Sequence, residues 1–269
     1  MKYHFISYAT GDFVPRAEAL VTSAVTHGFT HGRVFCPDDL AGTEFARRNR
    51  DILSQPRGAG YWLWKPFLIR QVLKMCQPDD IVFYCDAGRL DYYQFTRFPS
   101  HLVERLRANN AGFLLGPAVG HLGLIGDWTK RDCLILMNAD EEVIRKKPLL
   151  MTWSLWTPST RAFQFLDSWQ HYAEDSRCLT DLPNTLGQDN HPGYREHRHD
   201  QSILSILAHQ CGAPYLDFSS TLTDRVIRLR PGSTIGNFFY KRPENADGLL
   251  RRDNPLMLVR EFFSLKRGA

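Results

Sequence analysis

What this chain of 269 residues lacks narrows the field first. It has no P-loop, no G-x-G-x-x-G fingerprint and no G-x-S-x-G elbow, which removes the NTPase, dinucleotide-binding and hydrolase readings in their standard forms. Its six cysteines, Cys36, Cys76, Cys85, Cys133, Cys178 and Cys211, stand singly. Without a C-x-x-C pair there is no zinc-knuckle spacing, and free buried thiols are expected. No apolar run approaches the roughly 20 residues that span a bilayer. Met1 to Ile6 lead into a strand rather than a secretory signal, so the expected location is the cytoplasm. No stripe of Lys and Arg interleaved with aromatics is present, so nucleic acid is not an expected partner. Internal repeats and low-complexity linkers are also missing, which favours a single domain.

What is present suits one large α/β domain, since 43% hydrophobic residues can build its core. A net charge of +4 suits a phosphate-bearing ligand, and also peripheral association with the anionic inner surface of a membrane. The pattern predicts strands over Lys2–Tyr8, Arg33–Cys36, Ile81–Tyr84, Gly112–Leu115 and Leu149–Trp156. It predicts helices over Phe13–His27, Glu44–Leu53, Trp64–Met75, Pro99–Asn109, Lys130–Met137, Ser159–Tyr172 and Asp200–Cys211. Asp181 to His191, rich in Pro, Gly, Asn and Asp, read as a mobile loop. Leu258 to Arg267 form a basic amphipathic end. Regular alternation runs to about residue 125, so 1–125 is read as a nucleotide-binding half and 126–269 as an acceptor-binding and catalytic half.

Four constellations can carry chemistry. Asp86 follows a buried strand and precedes Ala87 and Gly88, and ligands of open α/β sheets bind at the carboxyl ends of strands. There its carboxylate can hold a cation or a sugar hydroxyl, or simply cap a turn. Lys65 stands where Trp62, Leu63 and Trp64 hand over to a helix; it is either a phosphate contact or a surface lysine among core tryptophans. His197, Arg198, His199, Asp200 and Gln201 enter a helix of apolar periodicity, with Asp200 as a candidate N-cap. A zinc site on His191, His197 and His199, serving a metal hydrolase, is the rival use of this segment. Trp153 and Trp156 are read as sharing one strand face, a flat surface for a sugar ring, with core packing as the alternative. Lys130 and Arg131, beside Trp128 and Asp132, are basic groups at a helix start that can meet phosphate or acceptor.

These segments, in this order, resemble the GT-A class of nucleotide-sugar glycosyltransferases, and more narrowly bacterial surface-polysaccharide transferases. The resemblance rests on Gly58, Gly60, Tyr61, Trp62, Trp64, Lys65 and Pro66; on Asp80, Tyr84, Asp86, Ala87 and Gly88; on Trp128 to Asp132; and on His197 to Ser202. It implies a Rossmann-like mixed sheet flanked by helices, and transfer of a sugar from a nucleotide diphosphate, UDP foremost, to a glycan or lipid-linked glycan of the cell surface. It also implies site residues. Thr10, Lys65, Asp86, Ala87, Gly88, Lys241 and Arg242 would bind donor; Trp153, Trp156, His199, Lys130 and Arg131 would meet the acceptor. Asp200 and Gln201 would be catalytic, Asp200 as the base of an inverting reaction or the pair beneath the sugar in a retaining one, which the Asp-Gln match favours. Glycogenin-like and lipopolysaccharide galactosyltransferases carry Asp-x-Asp where this chain has Asp86, Ala87 and Gly88. A Mn²⁺ or Mg²⁺ ion would therefore rest on Asp86 alone, or Lys241 and Arg242 would neutralise the diphosphate instead. A binding protein that has kept the pocket and lost transfer is the alternative.

Overall fold

Alternating side chains on a buried strand serve two faces at once, and in β3 both faces are apolar. The computed structural model describes residues 1–87, 95, 97–118 and 123–217. Among them the strands are Tyr3–Tyr8 (β1), His31–Phe35 (β2), Ile81–Cys85 (β3), Phe113–Ala118 (β4), Trp153–Trp156 (β5) and Tyr215–Asp217 (β6). They form one sheet in the order β2-β1-β3-β5-β4-β6. β1 runs parallel to β2 and β3, β4 runs parallel to β6, and β5 is antiparallel to both its neighbours. The sheet is thus mixed, as expected, and with its flanking helices makes a single α/β domain.

The helical segments are Val14–Thr26 (α1), Glu44–Arg48 (α2), Arg50–Leu53 (α3), Gly58–Tyr61 (α4), Trp64–Met75 (α5), Ser100–Arg107 (α6), Arg131–Leu136 (α7), Glu141–Ile144 (α8), Thr160–Ala173 (α9), Ser176–Leu179 (α10) and His199–Gln210 (α11). On one face, Phe5, Phe83, Cys85, Leu114, Trp153 and Leu155 pack with Leu20 and Ala24 of α1 and Leu102 and Leu106 of α6. On the other, Ile6, Tyr8, Val82, Tyr84, Phe113 and Trp156 pack with residues of α5, α9 and α11. None of the described helices is long and apolar enough to cross a membrane.

Several expectations change. The predicted Glu44–Leu53 helix breaks at Asn49, whose side-chain amide donates to Phe45 O at 3.0 Å. β6 had no clear signal in its three residues. Trp153 and Trp156 do not share a face: an offset of three residues reverses the direction on a strand, and the two rings lie in opposite cores. Trp153 is 2% and Trp156 0% exposed, and Trp156 stacks on Phe113, so neither offers a sugar platform.

The Asp181–His191 loop is tied down rather than loose. Asp132, wholly buried, accepts from Thr185 N and Oγ1 and from Leu186 N. Arg131 donates to Gln188 Oε1, and its backbone N–H to Asn190 Oδ1. Lys130 donates from Nζ to the carbonyls of Thr180 and Leu182. Lys130 and Arg131 are therefore loop anchors, not the acceptor contacts expected of them.

Candidate active site

Along β3, Val82 and Tyr84 point toward α5 and α11, and Asp86 continues that face just past the carboxyl edge of the sheet. Its backbone N–H donates to Thr152 O at 2.8 Å. Beside it, Ala87 packs against Ala9 and Ala17, small residues that bring α1 close. Thr10, two residues beyond β1, borders the same edge.

Lys65, the second residue of α5, points its ammonium into this corner, with only 2% of its side chain exposed. Nζ lies 2.8 Å from Asp200 Oδ2 and 3.3 Å from Asp86 Oδ1, and donates to Met151 O at 3.5 Å. Tyr84, directly below, donates its hydroxyl to Asp86 Oδ1 at 2.5 Å. The surface alternative for Lys65 is excluded, because a buried ammonium survives only with such partners.

One cation thus serves two carboxylates. Burial opposes the charge on Lys65, but Asp200 and then Asp86 outweigh it and hold the ammonium above its ordinary value. Burial also pushes the Asp200 carboxyl up to about 6; Lys65 resists the rise and Asp86 adds to it. An isolated ion pair would lower a carboxylate, so the rise reflects a cation shared with Asp86 in a dry site. Burial, then Asp86, raises the Tyr84 phenol well above its usual range, so it acts as a donor. Solvent reaches the cluster through Asp86, whose side chain is 32% exposed against 7% for Asp200.

Backbone strain delivers two of these groups. Gly58, Ala59, Gly60, Tyr61 and Trp62 all have positive φ, from 48° to 94°, and so does His199 at 50°. Left-handed backbone at non-glycine residues costs on the order of 1 kcal/mol or more each, and such outliers gather at functional sites. Here the two strained segments touch: the His199 ring lies 4.8 Å from Tyr61 and stacks at 5.7 Å on Trp62. Lys65 follows the first segment and Asp200 the second. Trp64, immediately before Lys65, stacks on Tyr8 at 3.9 Å.

The remaining expected residues fall elsewhere. α11 starts at His199, with Arg198 as its N-cap, so Asp200 is not the cap and its carboxylate serves Lys65. Gln201, about 100° further round the helix, lines a narrow crevice with Trp128, Arg198 and Ser205. His199 is buried and donates from Nδ1 to Leu179 O, which replaces its acceptor role with a structural one. His197 donates from Nε2 to Cys178 O and accepts at Nδ1 from Lys130 N. Burial lowers its pKa to about 3, so the ring is neutral, and with both nitrogens engaged in hydrogen bonds no lone pair is left for zinc. Gly88, Lys241, Arg242 and the Leu258–Arg267 segment lie outside the described residues.

Among the described residues, Asp86 is the one expected metal ligand, and its Oδ1 is already engaged. The Lys65 ammonium, shared with Asp200, lies 3.3 Å from that oxygen, and the hydroxyl of Tyr84 donates to it as well. Calcium, magnesium and manganese sites gather several oxygens around the ion. Tyr84 and the strained Gly58–Trp62 run are the parts missed by sequence reasoning as site groups. The signal for Tyr84 was its period-2 relation to Asp86.

No protein-family model matches the chain, and no curated protein sequence matches it. Solved structures similar to it include mouse xyloside xylosyltransferase 1 in its apo form, at 10% identity and a TM-score of 0.41. That match covers 80% of this chain and 84% of the other. A second is the apo WbbM bifunctional glycosyltransferase, at 9% identity and a TM-score of 0.44, covering 77% of this chain. The chain spans 37% of that protein.

Proposed function

We propose that this protein is a glycosyltransferase that moves a sugar from a nucleoside diphosphate, UDP foremost, to a hydroxyl of a glycan or lipid-linked glycan. One observation carries the reading: Lys65, Asp86 and Asp200, drawn from three of the four resembling segments, meet in one ion cluster at the carboxyl edge of the sheet. Their roles follow from exposure. Asp86 accepts a hydrogen bond from a donor hydroxyl, Tyr84 and Lys65 orient it, and Asp200 keeps Lys65 charged. Transfer breaks the bond from the anomeric carbon to the diphosphate oxygen, whose electron pair leaves with the diphosphate. The acceptor oxygen forms the new bond and gives up its proton.

Burial of Asp200 behind Lys65 argues against its taking that proton from an acceptor. It supports the retaining course, in which the departing diphosphate oxygen is the base. The fixed ammonium of Lys65 supports transfer without a divalent ion at Asp86. A cleft of about 470 Å³ at the end of β2, lined by Arg33, Phe35, Phe45 and Phe67, is wide enough for a flat base.

The test is release of nucleoside diphosphate from a panel of UDP-, GDP- and TDP-sugars, with binding followed by thermal shift. Turnover that is lost in Asp86→Asn supports the reading. Binding without turnover would identify a sugar-nucleotide-binding protein instead, and neither binding nor turnover with any donor would overturn both. Turnover that stops with EDTA and returns with Mn²⁺ would overturn the metal-free course.

A further inference from the structure

Asp80, the first residue of the segment that ends at Asp86, takes no part in the site above. The five residues of β3 separate the two, six steps of the chain and about 20 Å at some 3.3 Å per residue, so Asp80 lies at the opposite end of the sheet. There the chain gathers a second set of ligating side chains. His4 lies near the start of β1, Cys76 ends α5, and Asp80 immediately precedes β3. One potential ligand atom from each lies within 4.8 Å of the others.

Three further features fit a metal centre. His4 Nε2 is buried, has no hydrogen-bond partner, and stands 3.7 Å from Asp80 Oδ2. The Asp80 carboxylate is oriented from behind by the backbone N–H groups of Lys2 at 2.6 Å and Gln77 at 3.0 Å, the outer-shell support typical of metal-bound carboxylates. His31 is the Cα partner of His4 across β1 and β2; it is exposed, and its ring lies 5.0 Å from that of His4.

We propose that His4, Cys76 and Asp80 bind zinc, with His31 or water in the fourth position. A thiolate, an imidazole and a carboxylate make a borderline-soft set that selects zinc over magnesium or calcium. The thiol proton of Cys76 passes to solvent on binding, with no change in oxidation state. The ion joins the end of α5 to the starts of β1 and β3. Lys65 and Asp86 ride on the far ends of α5 and β3, so the centre is structural and sets the register of the two elements that carry the active site.

Cobalt(II) titration of the full chain, purified in chelator, tests this. One equivalent should produce a thiolate-to-cobalt charge-transfer band, zinc should displace it, and zinc should raise the melting temperature. Cys76→Ser and His4→Ala should weaken cobalt binding at least tenfold, while Asp86→Asn leaves it unchanged. No band in the wild-type chain, or the same band in Cys76→Ser, overturns the proposal. If Cys76→Ser does not fold, alkylation of the wild-type chain replaces it: zinc should protect Cys76, and equal labelling with and without zinc overturns the site.

Discussion

Lys65 and Asp200, 135 residues apart in sequence, meet at 2.8 Å with both side chains withdrawn from water. Neither helix has a local reason to bury a charge. The pair exists because α5 and α11 pack on the same face of the sheet, with Asp86 at its rim.

Removing the cation leaves two carboxylates facing each other. Lys65→Met should therefore destabilise the fold by about 3 kcal/mol at neutral pH, the usual cost of stranding a buried charge. The loss should shrink at acid pH as Asp200 becomes protonated. Urea denaturation of both proteins at pH 5 and pH 8 checks this; equal differences at the two pH values would contradict it.

The Asp200 carboxyl titrates at about 6 when folded, above its ordinary value of 3.8. A raised carboxyl binds its proton more tightly in the folded state. Its stabilising contribution is therefore complete below pH 3.8 and is lost as pH rises through about 6. Asp200→Asn should abolish this part of the pH dependence. Parallel stability curves for wild type and variant between pH 4 and 7.5 would show that Asp200 does not titrate there.

Tyr84→Phe keeps the buried ring and deletes only the hydroxyl that Asp86 accepts from. A cost of about 1.5–3 kcal/mol is expected for a bond to a charged group. Donor turnover should also fall, since Asp86 loses the donor that orients it. A variant with native stability and native turnover would leave Tyr84 with no role in the site.

Alanine at Gly60 would set a Cβ 2.7 Å from Leu53 Cα, at a φ of +94°. Gly60→Ala should cost about 2–4 kcal/mol, whereas Ala59→Gly, at a φ of 48°, relieves strain and should be tolerated. Thermal denaturation of the two variants should rank them clearly, and the reverse order would refute the left-handed turn.

Asp132→Ala removes the acceptor for three groups of the Thr185–Leu186 turn. The 181–191 segment should then be cut by proteases faster than in the wild-type chain, with little change elsewhere. Mass spectrometry of a limited digest locates the cuts.

Local pattern was enough for the helix over Trp64–Met75, whose predicted and observed bounds agree, and for the strand leading to Asp86, because apolar spacing and turn residues act within a few positions. It also marked Lys65, Asp86 and Asp200 as unusual. What it could not contain was their distance: a lysine beside tryptophans reads alike on a surface and in a core. Only packing of α5 and α11 on one sheet face shows that Lys65 is shared by two carboxylates. The same holds for Lys130, Arg131 and His199, whose charge and position suggested ligands. Their donors turn inward to carbonyls and amides of the 179–190 segment, since buried polar groups must be satisfied wherever the chain brings partners together. Sequence by itself determined the elements and the chemical groups available; tertiary structure decided which charges lost their water and had to find one another.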